Sequence, residues 1–244
     1  MTSHIESALK DLISTYNELN SSTIDELDSE PSPLEFMRYV SRNTPFVIRG
    51  ASSSWKATRE WNAAYLRTAL TGQTVNVAVT PHGNADAPTF SPKDGVTVLS
   101  KPLEESEMFS DFLTYITQQE QDETFPRDSE VRYAQTLCHP CMNEALLTPA
   151  TYVRDETGLS IRVDEGAELV PYAQPMRVTL NPGDMLYLPA MWYHKVSQSS
   201  IPGGEGFVVA INYWYDMDFS GPVYPMVALV RAMAQRNTSK SLEG

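Results

Sequence analysis

Cysteine is nearly absent: Cys138 and Cys141 are the only two in 244 residues. Two thiols cannot build a disulfide framework, and their scarcity fits a reducing compartment. Histidine is scarce too, with His4, His82, His139 and His194 making up the full set of four. Basic residues are outnumbered, 18 against 31 acidic ones, which gives a formal net charge of −13. Such a field repels nucleic-acid phosphates, so nucleic acid is not an expected partner. It either simply solvates the surface or attracts a basic, Lys-bearing protein segment. No apolar run approaches the roughly 20 residues of a membrane span, and the opening MTSHIESALKDL lacks the basic start and apolar middle of a secretory signal. No membrane partner is expected, and the expected location is cytoplasmic or nuclear. There is no Gly-x-Ser-x-Gly elbow, no phosphate-binding glycine loop and no basic aromatic stripe.

What is present is ordinary for a globular protein, 41% hydrophobic and 20% charged. The length allows one substantial core or two small ones. Residues 3–19 carry Ile5, Ala8, Leu9, Leu12, Ile13, Tyr16 and Leu19 on one helical face, with Ser3 and Glu6 spaced as a capping box. A polar linker over 20–30 follows. Ser32, Pro33 and Glu35 then open a second helix running through Phe36, Tyr39 and Val40. Short β-rich runs are expected at 46–48, 74–80 and 131–135, and helices over 61–70, closed by Gly72, and around Met108 to Ile116. The second half reads as strands at 176–180, 185–188, 193–197 and 207–215, with a proline–glycine turn at 181–184 and a closing helix over 225–236. Short strands separated by turns suggest a barrel or double-sheet jelly roll behind N-terminal helices.

Few residues offer chemistry. His4-Ile5-Glu6 is the only His-x-acid sequence, but residues two apart on a helix do not face the same way. His82 with Asp86 reads as a loop rim. Cys138-His139-Pro140-Cys141 has zinc-knuckle spacing but lacks the second pair that a closed site needs. A thiol nucleophile beside His139 is disfavoured because adjacent strand residues point to opposite faces. His194 lies in a strand-like stretch after the 181–184 turn, where it is either a packing histidine or the distant His of a two-His, one-carboxylate iron site.

Several long motifs carry a resemblance. NPGDMLYLPAMWYHKVSQS and VVAINYWYDMDFSGP, with TPFVIRGASSSWKATREWNAAYLRTAL, VNVAVTPHGNADAP and LLTPATYVRDETG, together resemble the cupin-like Jumonji-C family. Within it they resemble the Jumonji domain-containing protein 7 group of lysyl hydroxylases. The resemblance implies a mainly β fold, a double-stranded β-helix or jelly roll with N-terminal helices, over residues 31–225. Residues 1–30 then form an N-terminal helix and linker, and 226–244 a C-terminal helix and tail. It implies Fe(II) and 2-oxoglutarate as cofactors and a Lys-bearing protein substrate, for which a GTP-binding protein is the family precedent. His194 would be the distal iron ligand, Tyr133 and Asn212 would line the cosubstrate pocket, and Trp214 would stand behind them.

The departure from the family pattern is equally informative. VRYAQT runs directly into LCHPCMNEALLTPATY, where family members carry the His-x-Asp ligand pair and the lysine that grips 2-oxoglutarate. A shorter omission falls near 173/174. The fold is therefore expected to be incomplete and the oxygenase inactive or impaired. The competing readings are a non-catalytic jelly-roll module, for binding or homodimerisation, and a truncated version of an active enzyme. An open strand edge near Tyr133 and Leu137 and an inward-facing His194, sharing a face with Trp192 and Val196, complete the expectations.

Overall fold

The computed structural model describes residues 2–81, 83, 87–92, 95–135, 172, 174–192, 194–215 and 219–239. They divide into two compact units.

The first unit takes Met1–Ser53, Arg162–Ala190 and Tyr215–Gly244. Helix α1 covers Thr2–Leu19, as the apolar stripe predicts. Helix α2 covers Pro33–Arg42, and its start is fixed as the sequence implies. Ser32 Oγ accepts from the Glu35 backbone N–H at 3.3 Å, and Glu35 Oε2 accepts from the Ser32 N–H at 2.9 Å. Strand β2, Phe46–Ile48, is fully buried. Strand β1, Asp25–Leu27, runs parallel to it, and β8, Met185–Tyr187, antiparallel. Phe46 sits among aromatic rings, 4.4 Å from Tyr39 and 5.1 Å from Tyr187 between centroids. Helix α6, Val223–Ser239, closes the unit and packs on α1.

The second unit takes Ser54–Ile161 and Met191–Trp214. Its central strand is β3, Thr74–Thr80, flanked by antiparallel β6, Leu103–Met108, and β7, Val131–Gln135. One face of β3 presents Val75, Val77 and Val79 to helix α4, Ala63–Ala69, and helix α5, Phe109–Gln121. Leu66, Leu70, Phe109, Phe112 and Leu113 complete that core, and Phe207 and Val209 pack against it from the later chain. Helix α3, Lys56–Glu60, precedes α4, and a separate hairpin pairs β4, Ala87–Ser91, with β5, Val96–Ser100.

Several expectations need correction. The linker over 20–30 contains β1, because its carbonyls and amides find a parallel partner in β2. The helix expected over 61–70 is found as α4, starting two residues later because Asn62 caps it by accepting from the Tyr65 N–H at 2.8 Å, and the short helix α3 before it was not expected. Among the described residues, 176–180, 194–197 and 207–215 form no strand beyond a single bridge at Ile211. Alternation specifies which face a residue would occupy but supplies no ladder partner, and a strand exists only with one. Strand β7, which carries Tyr133, pairs only with β3 among the described residues and so forms an edge of its sheet, as expected, although Tyr133 itself is half-buried; Leu137 lies outside the described residues.

Candidate functional site

A dense polar cluster grows from two of the motifs. In the NPGD turn the Asp184 N–H donates to the Asn181 carbonyl at 3.0 Å. Gly183 has φ +94°, and a Cβ there would stand 2.6 Å from Ser53 Oγ, so only glycine fits. The Asp184 carboxylate, 6% exposed, binds Arg49 Nη1 at 2.6 Å. It also accepts from the N–H groups of Gly50 and Asn181, each at 2.9 Å. Burial alone would raise the Asp184 carboxyl, but those backbone donors and then Arg49 outweigh it and hold it below the usual carboxylate range. Arg49 also binds Glu26 through Nε and Nη2 and the Thr179 carbonyl through Nη1. Hydrogen bonds that it donates to Glu26 and then to Asp184 hold its guanidinium above its ordinary pKa. This clamp ties the 179–184 stretch to β1 and β2 and so sets the start of β8. Sequence reading missed it, although TPFVIRG and NPGD both stood out: they register a strand end and a turn, and nothing in them says that the arginine meets the aspartate 135 positions away.

All four residues singled out for cofactor chemistry fall in the second unit. Tyr133 lies on β7 opposite Ala78, with its phenolic oxygen buried. Its register is held by the neighbouring Arg132, which pairs with Glu107 and Glu130 and stacks over the Tyr115 ring at 4.3 Å. Asn212 is half-buried, next to the bridge at Ile211. Trp214 is 58% exposed, and Tyr213 beside it makes an edge contact with Trp55 at 5.9 Å.

His194 is exposed, and so is Val196 at 49%. This corrects the expectation of an inward-facing strand histidine sharing a face with Trp192 and Val196. Its Nδ1 lies 2.9 Å from the Trp192 carbonyl oxygen. A carbonyl only accepts, so Nδ1 carries the proton and the lone pair of the neutral ring sits on Nε2, the nitrogen that a metal or acid would take.

The implied iron can be tested against these side chains. A facial triad needs two histidines and a carboxylate converging on one point. Among the described residues no three His, Cys, Asp or Glu side chains converge in that way. His194, the expected ligand, belongs to no such group among the described residues, so the residues described do not fit the metal. His4 is exposed on α1. His82, Asp86, Cys138, His139 and Cys141 lie outside the described residues, and the loop-rim, zinc and thiol readings go with them.

The cupin-like domain profile matches this chain in two overlapping pieces, residues 31–146 and 136–221. The chain belongs to the cupin-like (JmjC) family. Its fold is the family's cupin-like jelly roll with N-terminal helices. It is 30% identical to the human bifunctional peptidase and (3S)-lysyl hydroxylase JMJD7, over 79% of this chain and 84% of that protein. It is 28% identical to the Arabidopsis thaliana lysine-specific demethylase JMJ32, over 80% of this chain and 82% of the relative. The JmjC domain-containing protein E of Dictyostelium discoideum is 22% identical over 78% and 83%. Family members are in general Fe(II)- and 2-oxoglutarate-dependent. Alignment lengths add a further fact about this cupin-like chain. The JMJ32 alignment runs over 290 positions, but 80% of 244 residues is about 195, so about 95 positions face no residue of this chain. For JMJD7, 271 positions against 79% of 244, about 193, leave about 78.

Proposed function

We propose that this chain carries the scaffold of a JmjC protein hydroxylase acting on lysine, and that as written it turns over 2-oxoglutarate poorly or not at all. The observation that carries the proposal is the break in the family match. Its two pieces overlap at 136–146, directly after β7 and Tyr133, where the family's His-x-Asp pair would follow. The positions without a counterpart in the alignments support a block of that size being absent. The absence of a converging ligand group among the described residues points the same way. A single retained imidazole leaves iron with no second histidine and no carboxylate, and metal affinity falls steeply with each lost ligand.

In this reading Tyr133, Asn212 and Trp214 keep the positions of a cosubstrate pocket. The acidic surface, at net charge −13, favours a basic, Lys-bearing protein partner of the kind a lysyl hydroxylase acts on, a GTP-binding protein by family precedent. A cytoplasmic or nuclear location accompanies it. The same break favours a second reading, in which the chain is a shortened version of an active enzyme. Sequencing the transcript across the 136/137 junction separates the two. An unbroken junction in every transcript supports a true loss, and an intervening coding block supports the shortened version. Iron content of the purified chain, read with succinate formation, tests the impairment directly.

A further inference from the structure

A polar stripe on α2 belongs neither to the Arg49 clamp nor to the cosubstrate pocket. Glu35, Arg38, Tyr39 and Arg42 recur there at three- and four-residue spacing and share one face. That face is one wall of a groove of about 480 Å³ in the first unit, and the 26–31 segment, with Ser29, is the other. Most nearby carboxylates are already engaged. Glu35 Oε2 accepts from the Ser32 N–H at 2.9 Å and from its hydroxyl at 2.8 Å. Asp25 accepts from the Tyr39 hydroxyl at 3.0 Å, and Glu26 binds Arg49. Among the described residues the guanidiniums of Arg38 and Arg42 form no ion pair or hydrogen bond, unlike those of Arg49 and Arg132. Like charges four positions apart on a helix repel each other, and nothing in the groove offsets this. Across from them Ser29 is exposed, and its hydroxyl makes no hydrogen bond among the described residues. Its flanks, Glu26-Leu27-Asp28 before it and Glu30 after it, are the acidic context that acid-directed protein kinases select.

We propose that Ser29 is a phosphorylation site and that Arg38 and Arg42 receive its phosphate, so that modification pins the 28–31 segment onto α2. The proposal is independent of iron and of 2-oxoglutarate. The co-reactant is a nucleoside triphosphate held by a protein kinase. The Ser29 Oγ–P bond forms as the bond from the γ-phosphorus to its bridging oxygen breaks. Nucleoside diphosphate leaves, and the hydroxyl proton passes to the kinase's base. The product carries a charge of about −1.5 to −2 and three strong acceptor oxygens. Two guanidiniums match that charge, and each presents paired N–H donors to phosphate oxygens. Asp28 and Glu30 repel the phosphate, but both are exposed and screened by solvent. A free phosphate ion is the weaker occupant, because the same acidic flank repels it and no covalent bond holds it beside the arginines.

The test uses the full chain, a casein kinase and ATP. Phosphate is expected on Ser29 by peptide mapping and is expected to be lost from that peptide in Ser29→Ala. Phosphorus NMR across a pH series then reads the second ionisation of the bound phosphate. Facing arginines favour the dianion, so its pKa is expected about one unit below the usual value of about 6. In Arg38→Gln/Arg42→Gln it is expected to return to about 6 or above. Arg38→Lys/Arg42→Lys keeps both charges and is expected to keep most of the shift, which separates the charge from any structural role of the two side chains. Both pairs of substitutions act on exposed residues, and circular dichroism checks that they fold as the parent does. A chain that takes no phosphate at Ser29 overturns the proposal. So does a second ionisation that the glutamine pair leaves unchanged. Inorganic phosphate that binds the unmodified parent through these arginines, while phosphorylated Ser29 titrates at about 6, assigns the groove to a free anion and overturns it too.

Discussion

Replacing Asp184 by alanine is the most informative single perturbation of the scaffold. The carboxylate is 6% exposed and accepts two backbone N–H groups at 2.9 Å, in addition to its pairing with Arg49. Hydrogen bonds to a buried carboxylate are worth about 1.5–3 kcal/mol each, and removal leaves the Gly50 and Asn181 amides without their acceptor. Water reaches part of this loop, so the lower end applies, about 3 kcal/mol for the two together. The Arg49 contribution is taken as small, because that side chain is 30% exposed and keeps Glu26. For a chain of this length about 3 kcal/mol corresponds to a fall in Tm of about 9 °C. Asp184→Asn keeps one acceptor oxygen and should lose about half as much. Far-UV circular dichroism during heating measures both. Tryptophan fluorescence follows the second unit separately, since Trp55, Trp61, Trp192 and Trp214 all lie there. An Asp184→Ala dichroism transition within about 1 °C of the parent, well inside the expected shift, refutes the claim that this carboxylate organises the 181–184 turn.

Acid should weaken the same unit. The Asp184 carboxyl is held below its usual value in the folded chain, so its contribution is complete above the unfolded carboxylate pKa near 3.9 and disappears as pH falls through the folded value. Denaturation midpoints measured down a pH series should drop less steeply below pH of about 4 in Asp184→Asn than in the parent. Leu113→Ala, at a site 1% exposed between α5 and β3, should cost about 3 kcal/mol. Urea unfolding followed by tryptophan fluorescence reads it, because Trp61 packs on that cluster. Ser32→Ala removes the capping hydroxyl of α2 and should cost about 1 kcal/mol by denaturation, while Ser32→Asp should cost less.

Local signals in the sequence were read correctly wherever neighbours close in the chain decide the structure. The Ser32-Pro33-x-Glu35 cap, the valines of β3 and the Pro182-Gly183 turn each fix their own geometry through backbone preferences, and each is found in place. Distant partners were not legible. Strand β1 exists only because β2 lies beside it, and Arg49 finds Asp184 and Glu26 only after the sheet forms. The opposite error occurs at 176–180 and 207–215, where alternation is present but a ladder partner is not. Phe207 and Val209 still turn inward against the second unit's core, so the face was legible although the strand was not. His194 illustrates the same limit: its motif carried the family resemblance, while its exposure depends on neighbours that the motif does not contain.

Iron stoichiometry read together with succinate formation tests the central claim most directly. The full chain, loaded anaerobically with Fe(II) and assayed with 2-oxoglutarate and a Lys-bearing substrate beside JMJD7, is predicted to retain far less than one iron per chain and to form no succinate above the protein-free background. His194→Ala should change neither value. One bound iron per chain, with succinate formation that disappears in His194→Ala, contradicts the account and requires a complete ligand set around that histidine.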